Sequence, residues 1–190
     1  FNEDMTQSLL DTPESIAAFE YYVELYTKHG VTPPAPNEMS AQDVRTFFSQ
    51  EKVAMLFGSG FTISIVDGLN PDLNAAELLR VAPLPVHSER QEKVTFSQMD
   101  FWGISAYSTV QEEAWDFVKY LTSEEVQAKF FVDNGVTSAR IDVGQSDLIQ
   151  NDKFASVISD EIPNGRGMPM FIAMNEVNDA IINAAQEALT

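Results

Sequence analysis

The side chains best suited to chemistry in this chain are an aromatic and carboxylate cluster and a loop arginine. Asp100, Phe101 and Trp102 stand in succession where a strand is predicted to begin, and Arg166 lies in a loop rich in Gly, Pro and Asn. Flat aromatic faces suit the apolar side of a pyranose ring, and carboxylate or guanidinium groups bond its hydroxyls. These residue types are the ones that a sugar-binding site needs. A core position for Trp102 and a solvated position for Arg166 are the alternatives.

A second candidate is the small-residue turn Gly58-Ser59-Gly60, which precedes Phe61 between a predicted strand and a predicted helix. Backbone N–H groups at a helix start can bind anions. A phosphate loop would also need a following Lys-Ser/Thr pair and further glycine, and neither is present. Two interpretations stay open. The turn needs small residues for its own geometry, or it lets a ligand approach the backbone of Gly60 with Phe61 as an aromatic floor.

Metal-based and nucleophilic chemistry have few candidates. The chain has no cysteine, which excludes disulfides, thiolate catalysis and Cys-based zinc sites. The two histidines, His29 and His87, have no partner at helical ligand spacing, and there is no Gly-x-Ser-x-Gly elbow. We therefore predict no catalytic residue, no metal site and no cofactor. A glycoside-active enzyme with two carboxylates is the first alternative, and an acidic interaction domain is the second.

The charge of the chain narrows its partners. Twenty-nine acidic and 11 basic residues give a formal net charge of −18. Such a surface repels nucleic acid and anionic lipid headgroups, so we predict no nucleic-acid partner. No apolar run approaches the length of a membrane-spanning helix. With 190 residues, of which 44% are hydrophobic, the chain can bury a core.

Helix signals surround the candidate residues. Four Ser or Thr residues stand where helices are predicted to begin: Thr12, Ser40, Ser108 and Thr122. The last two have the spacing of a capping box with Gln111 and Glu125. The helix after Thr122 is predicted to end at Gly135, a residue suited to a left-handed cap. Trp115 lies within the helix after Ser108 and is predicted to pack rather than to bind.

Short apolar runs predict strands between these helices. The run 53–57 is continuously apolar, as in strands that are buried on both faces of an α/β sheet. Further strands are predicted at 80–84, 94–96 and 102–107. Strands that alternate with helices favour an α/β or α+β fold.

Four segments, in order along the chain, also resemble one family. Residues 51–61 (EKVAMLFGSGF) are similar to its G-K-V-A-M…G-x-W segment, and residues 81–85 (VAPLP) to its V-A-P-L-P stretch. Residues 114–127 (AWDFVKYLTSEEVQ) and 166–171 (RGMPMF) resemble its helix–turn–helix and its R-P-x-P-x-Y segment. The family is that of the extracellular solute-binding proteins of ABC sugar importers, which includes the maltose-binding proteins.

The resemblance implies an α/β fold of the type II periplasmic-binding-protein-like class, with two lobes and sugar in the cleft between them. Residues 1–81 and 145–190 are expected to form the second lobe, and residues 87–139 the returning segment of the first. Hinge crossings are expected near 82–86 and 139–144. The N-terminal part of the first lobe is expected to be absent from this chain.

The resemblance also implies roles for single residues. Phe61 stands where the family has a sugar-stacking Trp, and Trp102 matches the Trp of a Gly-Gly-Trp segment. Asp100 and Phe101 replace those glycines, which puts a long oligosaccharide ligand in doubt. Phe171 occupies a Tyr position. Arg140 follows Gly135 as the family's Arg does, but we expect it to be structural and to tie its connection to an acidic neighbour. The predicted ligand-binding residues are Gly60, Phe61, Asp100, Trp102, Arg166 and Phe171.

The function that the resemblance implies is the binding component of an ABC transporter, which is not an enzyme. It would bind a sugar or oligosaccharide by hinge closure and deliver it to the permease. The implied partners are a carbohydrate ligand and the transmembrane subunits of an ABC permease, and the protein is expected to be a monomer. Its expected location is extracytoplasmic, either periplasmic or as a membrane-anchored lipoprotein at the cell surface.

Overall fold

The computed structural model describes residues 1, 2, 4, 6–75, 77–86 and 92–190. These residues form two units. The terminal unit consists of Phe1–Leu56 and Pro169–Thr190, and the central unit consists of Phe57–Met168. Among the described residues, no helix is long and apolar enough to cross a membrane.

Helices dominate both units. Within the described residues they are α1 (Pro13–Thr27), α2 (Ala41–Ser49), α3 (Phe61–Leu69), α4 (Pro71–Ala75), α5 (Gln111–Leu121), α6 (Glu124–Asn134), α7 (Ile141–Gly144), α8 (Asp147–Gln150), α9 (Ala155–Glu161) and α10 (Met174–Ala188). Short 3₁₀ helices cover Pro36–Glu38 and Ile162–Asn164. Two short strands, β1 (Thr95–Phe96) and β2 (Gly165–Arg166), pair in parallel.

The predicted starts of α1 and α2 are confirmed. The Thr12 side chain accepts a hydrogen bond from the backbone N–H of Ser15 at 3.3 Å. Ser40 and Asp43 form a reciprocal capping box, in which each side chain accepts from the backbone N–H of the other. These bonds satisfy amides that have no partner within the helix, and so they define where each helix begins.

The predicted capping boxes of α5 and α6 are wrong. The Ser108 hydroxyl accepts from the Val110 N–H two residues on, and α5 begins only at Gln111. The Thr122 hydroxyl donates to the Val118 carbonyl at 2.8 Å, so it closes the end of α5 instead of opening α6. A Thr hydroxyl at a helix end can donate back to the i−4 carbonyl, and here that bond wins over capping. The residue before α6 is Ser123.

The end of α6 is as predicted. Gly135 has a left-handed backbone with φ of 68°, and its N–H donates to the Phe131 carbonyl at 2.8 Å. Glycine adopts this conformation without the steric cost that a Cβ would bring.

Most of the predicted strands are absent from the described residues. Of the four predicted runs, only 94–96 contains a strand, and its partner is the Gly165–Arg166 segment. Residues 53–57, 80–84 and 102–107 are irregular. A strand buried on both faces needs neighbours on both edges, and no strand of the described chain lies beside 53–57. Met55 and Phe57 are accordingly 87% and 77% exposed.

The hydrophobic core lies in the central unit. Phe131, Val143 and Ile149 are almost completely buried, and they pack in one cluster with Ala128 and Ala155. These side chains come from α6, α7, α8 and α9. Four consecutive short helices therefore enclose a compact cluster around Phe131.

The terminal unit has no comparable core. Among its described residues, Ser49 is the one that is buried, and no buried residue occurs in α1 or α10. On α1, Ile16 is 48% exposed and Tyr21 is 62% exposed. These two side chains are thus largely open to solvent, while Phe19 and Val23 of the same helix are half-buried.

The two units divide the chain after Leu56 and after Met168, which are not the predicted hinge positions. In the central unit, α6 belongs to the predicted first-lobe segment 87–139. It packs with α3, which comes earlier in the chain, and with α7 and α8, which come later. The predicted lobes concern a longer two-lobed protein. Their assignment therefore stays a prediction.

Candidate functional site

Phe61 is the first residue of α3, and its side chain is 44% exposed. The helix begins at the small-residue turn because the Ser59 carbonyl accepts from Thr62 N–H at 2.9 Å and the Gly60 carbonyl accepts from Ile63 N–H at 3.1 Å. The aromatic ring is therefore attached to a helix end that its own backbone bonds hold in place.

Gly60 is buried, and the structure gives it a packing role. A Cβ at this position would clash with the Gly135 carbonyl oxygen and would lie 3.0 Å from the carbonyl carbon. Glycine is therefore required because α3 begins directly against the C-terminal end of α6. This favours the first interpretation of the turn. A ligand contact to Gly60 stays a prediction.

Asp100, Phe101 and Trp102 follow β1 in an irregular segment, and all three are exposed. Phe101 is 91% exposed and Trp102 is 64% exposed. The structure therefore excludes a core position for Trp102 in this chain. A carboxylate and two aromatic rings are presented to solvent within three residues.

Arg166 belongs to β2 and not to a free loop. Its backbone pairs with Phe96, and its carbonyl accepts from Ser97 N–H at 3.0 Å. Its guanidinium Nη2 lies 3.4 Å from Glu92 Oε1, with both side chains mostly exposed. An exposed ion pair of this length adds little stability, so the guanidinium is only loosely held.

The parallel pair of β1 and β2 brings two predicted site segments together. Ser97 follows β1 directly, and the chain then runs to Asp100 and Trp102 within five residues of that hydrogen bond. Arg166 is thus attached to the strand pair from which the aromatic segment emerges. Phe61 stands on a different element, α3.

Phe171 lies in the terminal unit. Its ring packs edge-on against Phe1, with ring centroids 4.8 Å apart and an interplanar angle of 65°. This geometry is a normal aromatic packing arrangement. Neighbouring Met170 is 92% exposed.

Arg140 has the structural role that was predicted for it. Its Nε donates to Asp142 Oδ1 at 2.9 Å, Nη2 donates to Asp142 Oδ2, and Nη1 donates to the Thr122 carbonyl at 3.3 Å. The guanidinium holds the pKa of the Asp142 carboxyl below its ordinary value by hydrogen bonding. Arg140 therefore ties the start of α7 to the turn between α5 and α6.

The long-range ion pair of Lys93 with Glu161 was not predicted from the sequence. Lys93 Nζ lies 3.1 Å from Glu161 Oε1, and the Glu161 side chain is only 13% exposed. Hydrogen bonds from Lys93 and Asn164 hold the pKa of Glu161 below its ordinary value. The pair joins the segment before β1 to the end of α9. Its members are 68 residues apart, so no local spacing could have indicated it.

The packing role predicted for Trp115 is not what the structure shows, because its side chain is 52% exposed on α5.

No group of three or more His, Cys, Asp or Glu side chains within the described ranges is arranged to hold a metal ion. His29 lies 3.8 Å from Glu24, and His87 lies outside the described residues.

Sequence comparison places the chain among known proteins. Residues 1–156 match the profile of the family of bacterial extracellular solute-binding proteins. The chain belongs to this family. The family consists of binding proteins, which favours binding over the enzyme alternative. BAB2_0491 of Brucella abortus (strain 2308), which is named a binding protein, is 25% identical over 185 residues, covering 97% of this chain and 43% of that protein. This solute-binding chain thus spans less than half the length of its curated relatives.

Solved structures show the fold. An ABC transporter solute-binding protein from Thermotoga lettingae TMO, bound with α-D-tagatose, has a TM-score of 0.80 at 24% identity. The matched region covers 100% of this chain and 47% of that protein. A cyclo/maltodextrin-binding protein complexed with maltotetraose has a TM-score of 0.72 at 23% identity. That match covers 95% of this chain and 44% of the other protein. Maltose-bound MalE3 of T. maritima has a TM-score of 0.71 at 22% identity, and the match covers 96% of this chain and 47% of MalE3. The predicted type II periplasmic-binding-protein-like fold is confirmed.

Proposed function

We propose that this chain is part of the substrate-binding component of an ABC importer and that the ligand is a sugar. The observation that carries the proposal is the exposed Trp102 beside Asp100, on a segment that leaves the strand pair holding Arg166. An open indole face suits the apolar side of a sugar ring, while the carboxylate and guanidinium suit its hydroxyls. In a solute-binding family, such a surface needs no chemical step.

The solved relatives support a sugar in particular. They were solved with α-D-tagatose, maltotetraose and maltose bound, and this chain shares their fold over 95% or more of its length. The ligand-binding set is Gly60, Phe61, Asp100, Trp102, Arg166 and Phe171. Phe61 and Trp102 stack on the ligand, and Asp100 and Arg166 bond its hydroxyls.

The ligand we propose is short. Asp100 and Phe101 stand before Trp102 where the family has two glycines, and Phe101 is 91% exposed, so bulk at these positions narrows the room for a ligand. A long chain of sugar rings needs open room along the stacking surface. A monosaccharide or disaccharide fits this surface better than a long oligosaccharide.

The mechanism is hinge closure in a two-lobed protein. Residues 1–81 and 145–190 belong to one lobe, residues 87–139 to the other, and the crossings lie near 82–86 and 139–144. A ligand that bridges both lobes stabilises the closed state. That state is recognised by the transmembrane subunits of the permease. The protein acts as a monomer outside the cytoplasm, as a periplasmic protein or a lipid-anchored one.

Titration calorimetry of the natural full-length protein against mono-, di- and longer oligosaccharides tests this proposal. We expect saturable binding of at least one short sugar and weaker binding of longer ones. No heat with any sugar would contradict the proposal, and the strongest binding to the longest chain would contradict the assignment of Asp100 and Phe101.

The isolated 190 residues provide a second test. If the ligand bridges two lobes, part of the cleft makes only part of the contacts, and affinity falls tenfold for about every 1.4 kcal/mol lost. We expect this chain alone to bind sugar much more weakly than the full-length protein. Equal affinity would overturn the two-lobe mechanism.

A further inference from the structure

Two glycine backbones meet where Phe61 begins its helix. A Cβ placed on Gly135 would clash with the carbonyl group of Gly60 and would lie 2.7 Å from the backbone nitrogen of Phe61. A Cβ placed on Gly60 would clash in turn with the Gly135 carbonyl oxygen. Real Cβ atoms do not approach backbone atoms so closely, because interiors pack near van der Waals distances. Each glycine is therefore needed for the approach of the other.

We propose that Gly135 is a positioning residue for Phe61. Because Gly135 has no side chain, the end of α6 lies directly against the peptide at which α3 and Phe61 begin. That the placement of Phe61 matters for sugar stacking rests on the proposed function. The placement of Phe61 by Gly135 does not depend on that function.

The surroundings of Gly135 make the contact an effective anchor. The Gly135 N–H donates to the backbone carbonyl of Phe131, whose side chain is 1% exposed and belongs to the core cluster. The glycine is thus hydrogen-bonded to the backbone of a residue in the buried cluster. Phe61 itself is 44% exposed, at the first position of α3. A rigid backbone contact at its root can hold the ring where a ligand meets it.

A matched control exists elsewhere in the chain. Gly30 also follows a helix and has a left-handed backbone with φ of 59°, but a Cβ there would meet no atom within 4 Å. Gly135→Ala adds left-handed strain and a clash, whereas Gly30→Ala adds the strain alone. Gly135→Asn and Gly30→Asn form a second pair, in which strain is smaller because Asn tolerates this conformation.

The first test needs no ligand. 4-Fluorophenylalanine at position 61 of the full-length protein reports the surroundings of the ring by fluorine NMR. We expect both Gly135 variants to shift or broaden this resonance and both Gly30 variants to leave it unchanged. An unshifted resonance in the Gly135 variants would overturn the proposal, whether or not any sugar binds.

The second test uses maltose and α-D-tagatose as probes in titration calorimetry. We expect Gly135→Asn to weaken binding at least tenfold and Gly30→Asn to weaken it less than twofold. In a Phe61→Ala background, Gly135→Asn is expected to have less than a threefold further effect, because it acts through the absent ring. Full additivity in this cycle would show that Gly135 acts on binding by another route.

The tests separate the two proposals. If the unsubstituted protein binds no sugar but the fluorine resonance shifts as expected, the proposed function fails and the positioning role stands. If neither Gly135 variant folds, hydrogen exchange of the unsubstituted protein decides. The amides of Ile63 and Gly135 are then expected to open together, and independent opening would overturn the contact as an anchor.

Discussion

The central and terminal units differ in what holds their helices together. In the central unit, α6 to α9 enclose a cluster in which Phe131, Val143 and Ile149 are at most 1% exposed. In the terminal unit, α1 and α10 contain no buried residue, although they are the two longest helices among the described residues. Helix length therefore does not make a core. Helices α6 to α9, none longer than 11 residues, form one because their apolar residues converge.

The comparison also concerns function. Phe61, Asp100, Trp102 and Arg166 all belong to the central unit, and Phe171 belongs to the terminal unit. Binding residues work best on loops and helix ends that a rigid scaffold positions. The central unit provides that scaffold, so it is the unit on which we expect most of the binding energy to depend.

The largest expected effect comes from the same substitution made once in each unit. Ile149 is 0% exposed and Ile16 is 48% exposed. We expect Ile149→Ala to lower the free energy of unfolding by about 2–5 kcal/mol, because it removes buried atoms and leaves a cavity. Ile16→Ala is expected to cost about 1 kcal/mol or less. Urea denaturation followed by circular dichroism measures both, and equal losses would remove the difference between the units.

A smaller effect is expected from the caps, and here the terminal unit is the more sensitive. Ser40 accepts a hydrogen bond at the start of α2, whereas Ser123 at the start of α6 makes no such bond. We expect Ser40→Ala to cost about 1 kcal/mol and Ser123→Ala to cost only a few tenths. The urea midpoints of the two variants give the comparison. A larger loss for Ser123→Ala would mean that capping does not define the start of α2.

The smallest expected effect is a change in pH dependence. The pKa of Glu161 lies below its ordinary value of 4.5 because Lys93 and Asn164 donate hydrogen bonds to it. Its contribution to stability is therefore present above that value and is lost as the pH falls through the lowered pKa. We expect Glu161→Gln to flatten the fall of the urea midpoint between about pH 6 and about pH 3. Lys93→Gln should flatten it as well. An unchanged profile in both variants would show that the pair does not support the joint between the segment before β1 and α9.

The sequence predicted the helices better than the strands, for a physical reason. Thr12, Ser40 and Gly135 act through hydrogen bonds to backbone groups a few residues away, so a short stretch of sequence is enough to predict the helix ends that they define. A strand depends on partners that are distant in sequence. The apolar run 53–57 looks like a buried strand, yet nothing in that run says which segment would lie beside it.

The candidate site shows the same limit. The sequence indicated that Asp100, Trp102 and Arg166 have suitable chemistry, and the structure adds that β1 and β2 bring their segments together. The sequence could not indicate the contact of Gly60 with Gly135, because the two glycines are far apart in the chain and have no side chain that forms a pattern. The pair of Lys93 and Glu161 was not predicted for the same reason, because its members are 68 residues apart.

The central claim is that Trp102 binds sugar, and its most direct test uses the two tryptophans of the chain. Both are exposed, Trp102 at 64% and Trp115 at 52%, but only Trp102 belongs to the proposed site. In calorimetry of the full-length protein, we expect Trp102→Ala to weaken sugar binding by roughly 1–3 kcal/mol, by analogy with bases stacked on aromatic side chains, with little change in melting temperature. Trp115→Ala is expected to leave the affinity unchanged. Intact affinity in Trp102→Ala, or an equal loss in both variants, would contradict the account.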